Sequence, residues 1–137
     1  MTRANLHLTL AFLGTLEERR LPPIQGRLAA MHTPQFAWRI DHLGSFGRAR
    51  VVWAGGPADS RLNGLAQAVR NGLDDLRVSY DHKFFVAHVT LLRGVSDFVA
   101  IALPRAIAWQ VSGPVLMVSE RDTHGQVRYR PWGEVDP

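Results

Sequence analysis

Residues 6–14 read Leu-His-Leu-Thr-Leu-Ala-Phe-Leu-Gly, and residues 87–94 read Ala-His-Val-Thr-Leu-Leu-Arg-Gly. Both are short apolar runs closed by glycine, each with a histidine and a threonine two positions apart. Side chains alternate across a β-strand, so His7 and Thr9 share one face while Leu6, Leu8 and Leu10 share the other. His88 and Thr90 stand in the same relation to Val89 and Leu91. Each phrase therefore predicts a strand, over 6–13 and 84–92, carrying an imidazole and a hydroxyl roughly 7 Å apart along its axis. One such phrase is usually a structural histidine. Two copies, 81 positions apart, arise by chance on the order of once in ten thousand chains of this size.

The rest of the chain gives the two phrases a frame. Its 137 residues are 46% hydrophobic and 20% charged, which fits one globular domain over 1–137 with a sizeable core. No apolar stretch approaches the length of a membrane span, and no signal-like segment opens the chain. Cysteine is absent, which removes disulfides, thiol nucleophiles and cysteine-based zinc sites, and points to a reducing, cytoplasmic setting. The net charge is +4, with 15 Arg against one Lys. Half of the weight goes to a compositional bias toward arginine; the other half goes to an anionic partner, since the guanidinium fork fits phosphate.

Pro22-Pro23 opens a predicted helix over 23–31, because proline is tolerated in a first turn. Phe36, Trp38 and Ile40 alternate with polar neighbours and predict a strand over 35–43, followed by a loop at 44–47 and a buried strand at 50–54. A second helix is expected over 60–76, capped by Asp59 or Ser60, with Leu62, Leu65, Ala66, Val69, Leu73 and Leu76 on one stripe. Residues 96–106 are ambiguous, a broken strand spans 107–119, and a turn at 122–125 leads to a last strand over 127–132. The fold class is α+β: two lobes of mainly antiparallel sheet around a cleft that carries the two His-x-Thr strands, with the helices outside.

Two histidines flanking one point, one neutral and one protonated, can serve as general base and general acid near neutrality. The hydroxyls of Thr9 and Thr90 can donate to non-bridging phosphate oxygens, and Arg93, just past the second phrase, can add a charge-assisted bond. That constellation suits in-line displacement at phosphorus without a metal or cofactor. Metal catalysis is the weaker alternative, because no His-Glu-x-x-His helix or paired cysteines are present. The other four histidines, His32, His42, His82 and His124, read as solvated loop or turn residues.

The residues Asn5 to Gly14 and His88 to Arg93 resemble the paired His-x-Thr motifs of the 2H phosphoesterases. They are similar in particular to the bacterial and archaeal RNA 2′,3′-cyclic phosphodiesterases, historically called 2′-5′ RNA ligases. Leu43-Gly44-Ser45-Phe46 with Arg50-Val51-Val52-Trp53 resembles that family's middle segment, and Val118-Ser119-Glu120 with Gly125 to Tyr129 its closing hairpin. The resemblance implies that His7 donates a proton to the leaving ribose oxygen and His88 is the base for water. It further implies that Thr9, Thr90 and Arg93 hold the phosphate, that Phe12 and Phe46 stack on a base, and that the product carries a 2′-phosphate. For both phenylalanines core packing is the competing expectation. The implied partners are RNA ends or nucleotides bearing a 2′,3′-cyclic phosphate. Ala87 departs from the proline usual before the second histidine, and the chain lacks the strand and helix that usually precede the first motif. That absence predicts an open edge, for which a homodimer is one remedy. Two other functions compete: 2′-5′ ligation of RNA ends on the same site, and a non-catalytic module binding RNA ends or nucleotides.

Overall fold

A computed structural model describes residues 3–133; residues 1–2 and 134–137 lie outside the described residues. Six strands and two α-helices follow one another: α1 (Leu21–Ala30), β1 (Phe36–Phe46), β2 (Val51–Gly55), α2 (Ser60–Asp75), β3 (Val89–Arg93), β4 (Ile101–Val111), β5 (Met117–Arg121) and β6 (Val127–Pro131). Four strands make an antiparallel sheet in the order β3-β2-β1-β4, and β5 and β6 form a separate hairpin. The architecture is α+β with antiparallel sheets, as the alternation of residues 35–43 and the helical stripe of 60–76 predicted.

The sheet has a buried back. Phe36, Trp38 and Ile40 of β1, Ala54 of β2, Val89 of β3 and Val111 of β4 form one apolar cluster with Leu62 and Leu65 of α2. Trp38 is 1% exposed, and its indole N–H donates to the carbonyl of Pro57 at 3.0 Å, so its one polar atom is satisfied inside the core. Burying each side chain of this size stabilises the fold by about 1.5–3 kcal/mol. A second cluster, Ile24, Val69, Leu73, Val78 and Leu116, packs α1 and α2 against Leu10 and Leu13 of the first phrase. Helix α2 begins where capping chemistry requires: the Asp59 carboxylate accepts from the amides of Arg61 and Leu62, at 2.8 and 3.3 Å.

Three expectations need correction, and one ambiguity is resolved. Residues 6–13 form no ladder; a single bridge joins Leu8 to Val89, and the amide of Asp81 donates to the Phe12 carbonyl. A strand needs repeated pairing on at least one edge, and this segment has it at only one point. The second phrase becomes a strand only from Val89, because its partner β2 is five residues long and ends beside Ala87–Val89. The predicted loop at 44–47 is mostly strand: Gly44, Ser45 and Phe46 pair with Trp53, Val52 and Val51. Residues 101–106 also join β4 despite Pro104. The β1–β4 register slips between Ile40 and His42, whose partners are Ile107 and Ala102. Pro104, without an N–H, sits inside that slip, where the ladder asks nothing of it.

Candidate active site

The register slip decides which side chains reach the sheet's open face. Ile40 is in the core and Leu43 packs against it, three positions apart, so alternation breaks between them. His42, Gly44 and Phe46 thereby face away from α2. On β2, Trp53 stands opposite Gly44 on one side and Thr90 on the other, and it shares their face. His42, Phe46, Trp53 and Thr90 thus line one surface.

The first phrase adds to it. Leu8 bridges Val89 in antiparallel sense, so one step to either side sets His7 across from Thr90 and Thr9 across from His88. Side chains directly opposite in an antiparallel pair have Cβ atoms about 4.5–5.5 Å apart and share a face. By that register both histidines and both threonines fall on one face of the paired segments. His7, His88 and Thr90 are half-buried, and Thr9 is exposed.

Both imidazoles are held in one way. His7 Nδ1 lies 2.6 Å from the carbonyl oxygen of Asn5, and His88 Nδ1 lies 2.7 Å from that of Val86, in each case two residues upstream. A carbonyl only accepts, so Nδ1 of each ring carries the proton and Nε2 is the nitrogen left for chemistry. The Asn5 side chain is anchored in turn. Its Nδ2 donates to the Val127 carbonyl at 2.8 Å, and its Oδ1 accepts from the Tyr129 amide at 3.1 Å. Neither Asn5 nor Tyr129 was singled out for this part from the sequence, because the partners lie more than 120 positions apart.

The remaining expected residues fall as follows. Arg93 closes β3 opposite Val51 and is exposed. Phe46 is half-buried, with its ring edge-on to His88 at 5.1 Å and tilted against Trp53 at 5.4 Å. Phe12 is 64% exposed, beyond Thr9 and next to the 81 loop. His42, read as a loop residue, lies on β1, its ring edge-on to Trp53 at 5.3 Å and its Nδ1 2.7 Å from Asp41 Oδ1. That hydrogen bond, with Arg39 at 3.4 Å, holds the Asp41 carboxyl below the ordinary carboxylate value. Among the described residues, no three His, Cys, Asp or Glu side chains converge as metal ligands do. No helix among them is long and apolar enough to cross a membrane.

On this antiparallel α+β frame, comparison with known proteins defines the class as a phosphoesterase. The profile of the LigT like phosphoesterase family matches residues 2–53. The RNA 2′,3′-cyclic phosphodiesterase of Escherichia coli is 33% identical over 132 residues, covering 93% of this chain and 73% of that protein. The protein of the same description from Archaeoglobus fulgidus is 38% identical over 92 residues, covering 65% of this chain and 52% of its own length. Among solved structures, E. coli LigT complexed with 3′-AMP superposes with a TM-score of 0.82 at 32% identity, over 93% of this chain and 74% of that one. The chain belongs to the LigT-like phosphoesterase family.

Proposed function

We propose that this chain opens 2′,3′-cyclic phosphates at RNA ends, leaving a 2′-phosphate, by acid–base catalysis from its two histidines. The observation that supports the reading is the antiparallel bridge between Leu8 and Val89, which sets the two phrases side by side. In the proposed step the Nε2 of His88 takes a proton from water as its oxygen attacks phosphorus. The bond from phosphorus to the ribose 3′ oxygen breaks, and that oxygen receives a proton from His7. Thr9, Thr90 and Arg93 bind the non-bridging oxygens, whose charge grows during attack. Phe46, beside His88, and Phe12, exposed past Thr9, contact the nucleoside. The names of the E. coli and Archaeoglobus relatives and the 3′-AMP bound to E. coli LigT support this substrate class. A single domain, action in the cytoplasm and self-association through open strand edges belong to the same reading.

The test is incubation with adenosine 2′,3′-cyclic phosphate in the presence of EDTA, followed by phosphorus NMR of the product. Accumulation of the 2′-phosphate is expected. A 3′-phosphate product, or turnover that EDTA abolishes, would overturn the mechanism. Ligation is the same step with a 5′-hydroxyl in place of water, and mixed RNA ends in the same assay measure it.

A further inference from the structure

The middle of the open sheet face carries an indole, that of Trp53, to which the proposed chemistry gives no role. The six-membered ring of Trp53 lies flat across Gly44 and Gly55. A Cβ built on Gly44 would stand 2.6 Å from Trp53 Cζ2, and one on Gly55 would stand 2.8 Å from Cζ3. Both glycines are thus required by the ring above them; an alanine at either place would lift it. Phe46 and His42 flank the indole, the first tilted and the second edge-on, and Asp41 fixes the His42 ring. One side of the plate lies against the backbone of Gly44 and Gly55. Trp53 is half-buried, as such a placement requires.

Packing alone is a poor account of a tryptophan here. Its Nε1 is buried without a hydrogen-bond partner, a cost that a phenylalanine in the same slot would not bear. What the indole adds over phenylalanine is flat area. Thr90 is its direct cross-strand neighbour, so the plate begins one side chain from the atoms that would hold the phosphate. We infer that Trp53, seated on Gly44 and Gly55 between Phe46 and His42, is the stacking plate for the nucleobase of the nucleoside that carries the cyclic phosphate. The inference rests on the phosphodiesterase reading for its substrate and assigns the base a place within it. Stacking on an indole tolerates any base, because every base has a π-face.

The experiment compares adenosine 2′,3′-cyclic phosphate with the base-free methyl riboside 2,3-cyclic phosphate. Stacking on one aromatic ring accounts for about a fivefold to about a 150-fold difference per base, so Trp53→Ala should shrink the ratio of the two kcat/KM values by that factor. Trp53→Phe should keep much of the ratio. A ratio unchanged in Trp53→Ala overturns the inference even if the enzyme works as proposed. A second measurement does not depend on turnover and reads the wild-type chain. The Trp53 indole N–H resonance of the wild-type chain, identified by its loss in Trp53→Phe, should move on titration with adenosine 2′-phosphate and not with methyl riboside 2-phosphate. If neither cyclic substrate reacts yet the resonance moves, the phosphodiesterase reading fails and the plate stands; a resonance that ignores the nucleotide removes the plate.

Discussion

The ring of Tyr129 lies 4.5 Å from the imidazole of His7, inclined at 46°. The Tyr129 amide also donates to Asn5, whose carbonyl in turn accepts from His7 Nδ1. The β5–β6 hairpin and the first histidine are thereby tied through one buried asparagine. Asn5→Asp keeps the size but puts a carboxylate where Nδ2 donated to the Val127 carbonyl. Leaving that part-buried acceptor unpaired costs about 1 kcal/mol, so a urea midpoint lowered accordingly is expected, together with slower turnover. If unfolding is unchanged, the hairpin is held by other contacts and the tie is incidental.

Removing either imidazole tests the pair directly. General acid–base groups contribute roughly 10² to 10⁴-fold each, so His7→Ala and His88→Ala should lose that much activity while circular dichroism stays native. A loss below tenfold in either variant contradicts its role. Thr9→Val and Thr90→Val each delete one bond to an anion, about 1.5–3 kcal/mol, and should slow the reaction less than loss of a histidine.

Arg93 ends β3 three residues beyond Thr90 and is exposed. Arg93→Ala should raise KM and lower kcat for the cyclic phosphate without lowering the melting temperature. Arg93→Lys should recover only part of the loss, because an ammonium cannot offer the paired donors of a guanidinium. Equal activity of the lysine variant would mean diffuse charge rather than a directed contact.

Asp59 gives a stability prediction with a pH signature. Its side-chain bonds with Arg61, followed by the amides of Arg61 and Leu62, hold its carboxyl below the ordinary value. A lowered carboxyl contributes stability above its unfolded value and loses it as pH falls through the folded one. Asp59→Ala should therefore cost about 1 kcal/mol at neutral pH. The gap from wild type in urea melts should close as the solution is acidified into the carboxylate range. A gap independent of pH would mean that the ionised cap is not its origin.

Local periodicity made most of the frame legible. The stripe of α2, the Asp59 cap, the alternation of Phe36, Trp38 and Ile40, and the turn at Asp122 all depend on neighbours within a few positions, and all appear. The repeated phrases carry the proposed site, because a His and a Thr two apart must share a face if the segment is extended. What could not be read depends on distant partners. His42 looked like a loop residue because only the slip opposite 103–106 turns it toward Trp53. Gly44 read as a loop glycine, whereas the indole of the next strand is what excludes a side chain there. The tie from Asn5 to the hairpin left no local signal, since both of its side-chain partners belong to β6.

Residues 6–13 are held by one bridge to Val89, and β5 pairs only with β6, so each leaves an edge unpaired among the described residues. Between these edges lies a cavity of about 650 Å³, walled by Leu8 and Leu10, by Ile24 and Leu28 of α1, and by Leu65 and Leu116. Unpaired edges recruit strands from other chains, and an open apolar cavity is a place for a hydrophobic dye. The 137-residue chain should bind such a dye in the native state and show a mass in light scattering that rises with concentration. Proline substitution at Val118, on β5, would remove an amide from one open edge. If β5 is the recruiting edge, Val118→Pro should reduce association more than it reduces dye binding. A monomer at every concentration, unfolding cooperatively and ignoring the dye, would show that the edges and the cavity between them are closed in solution.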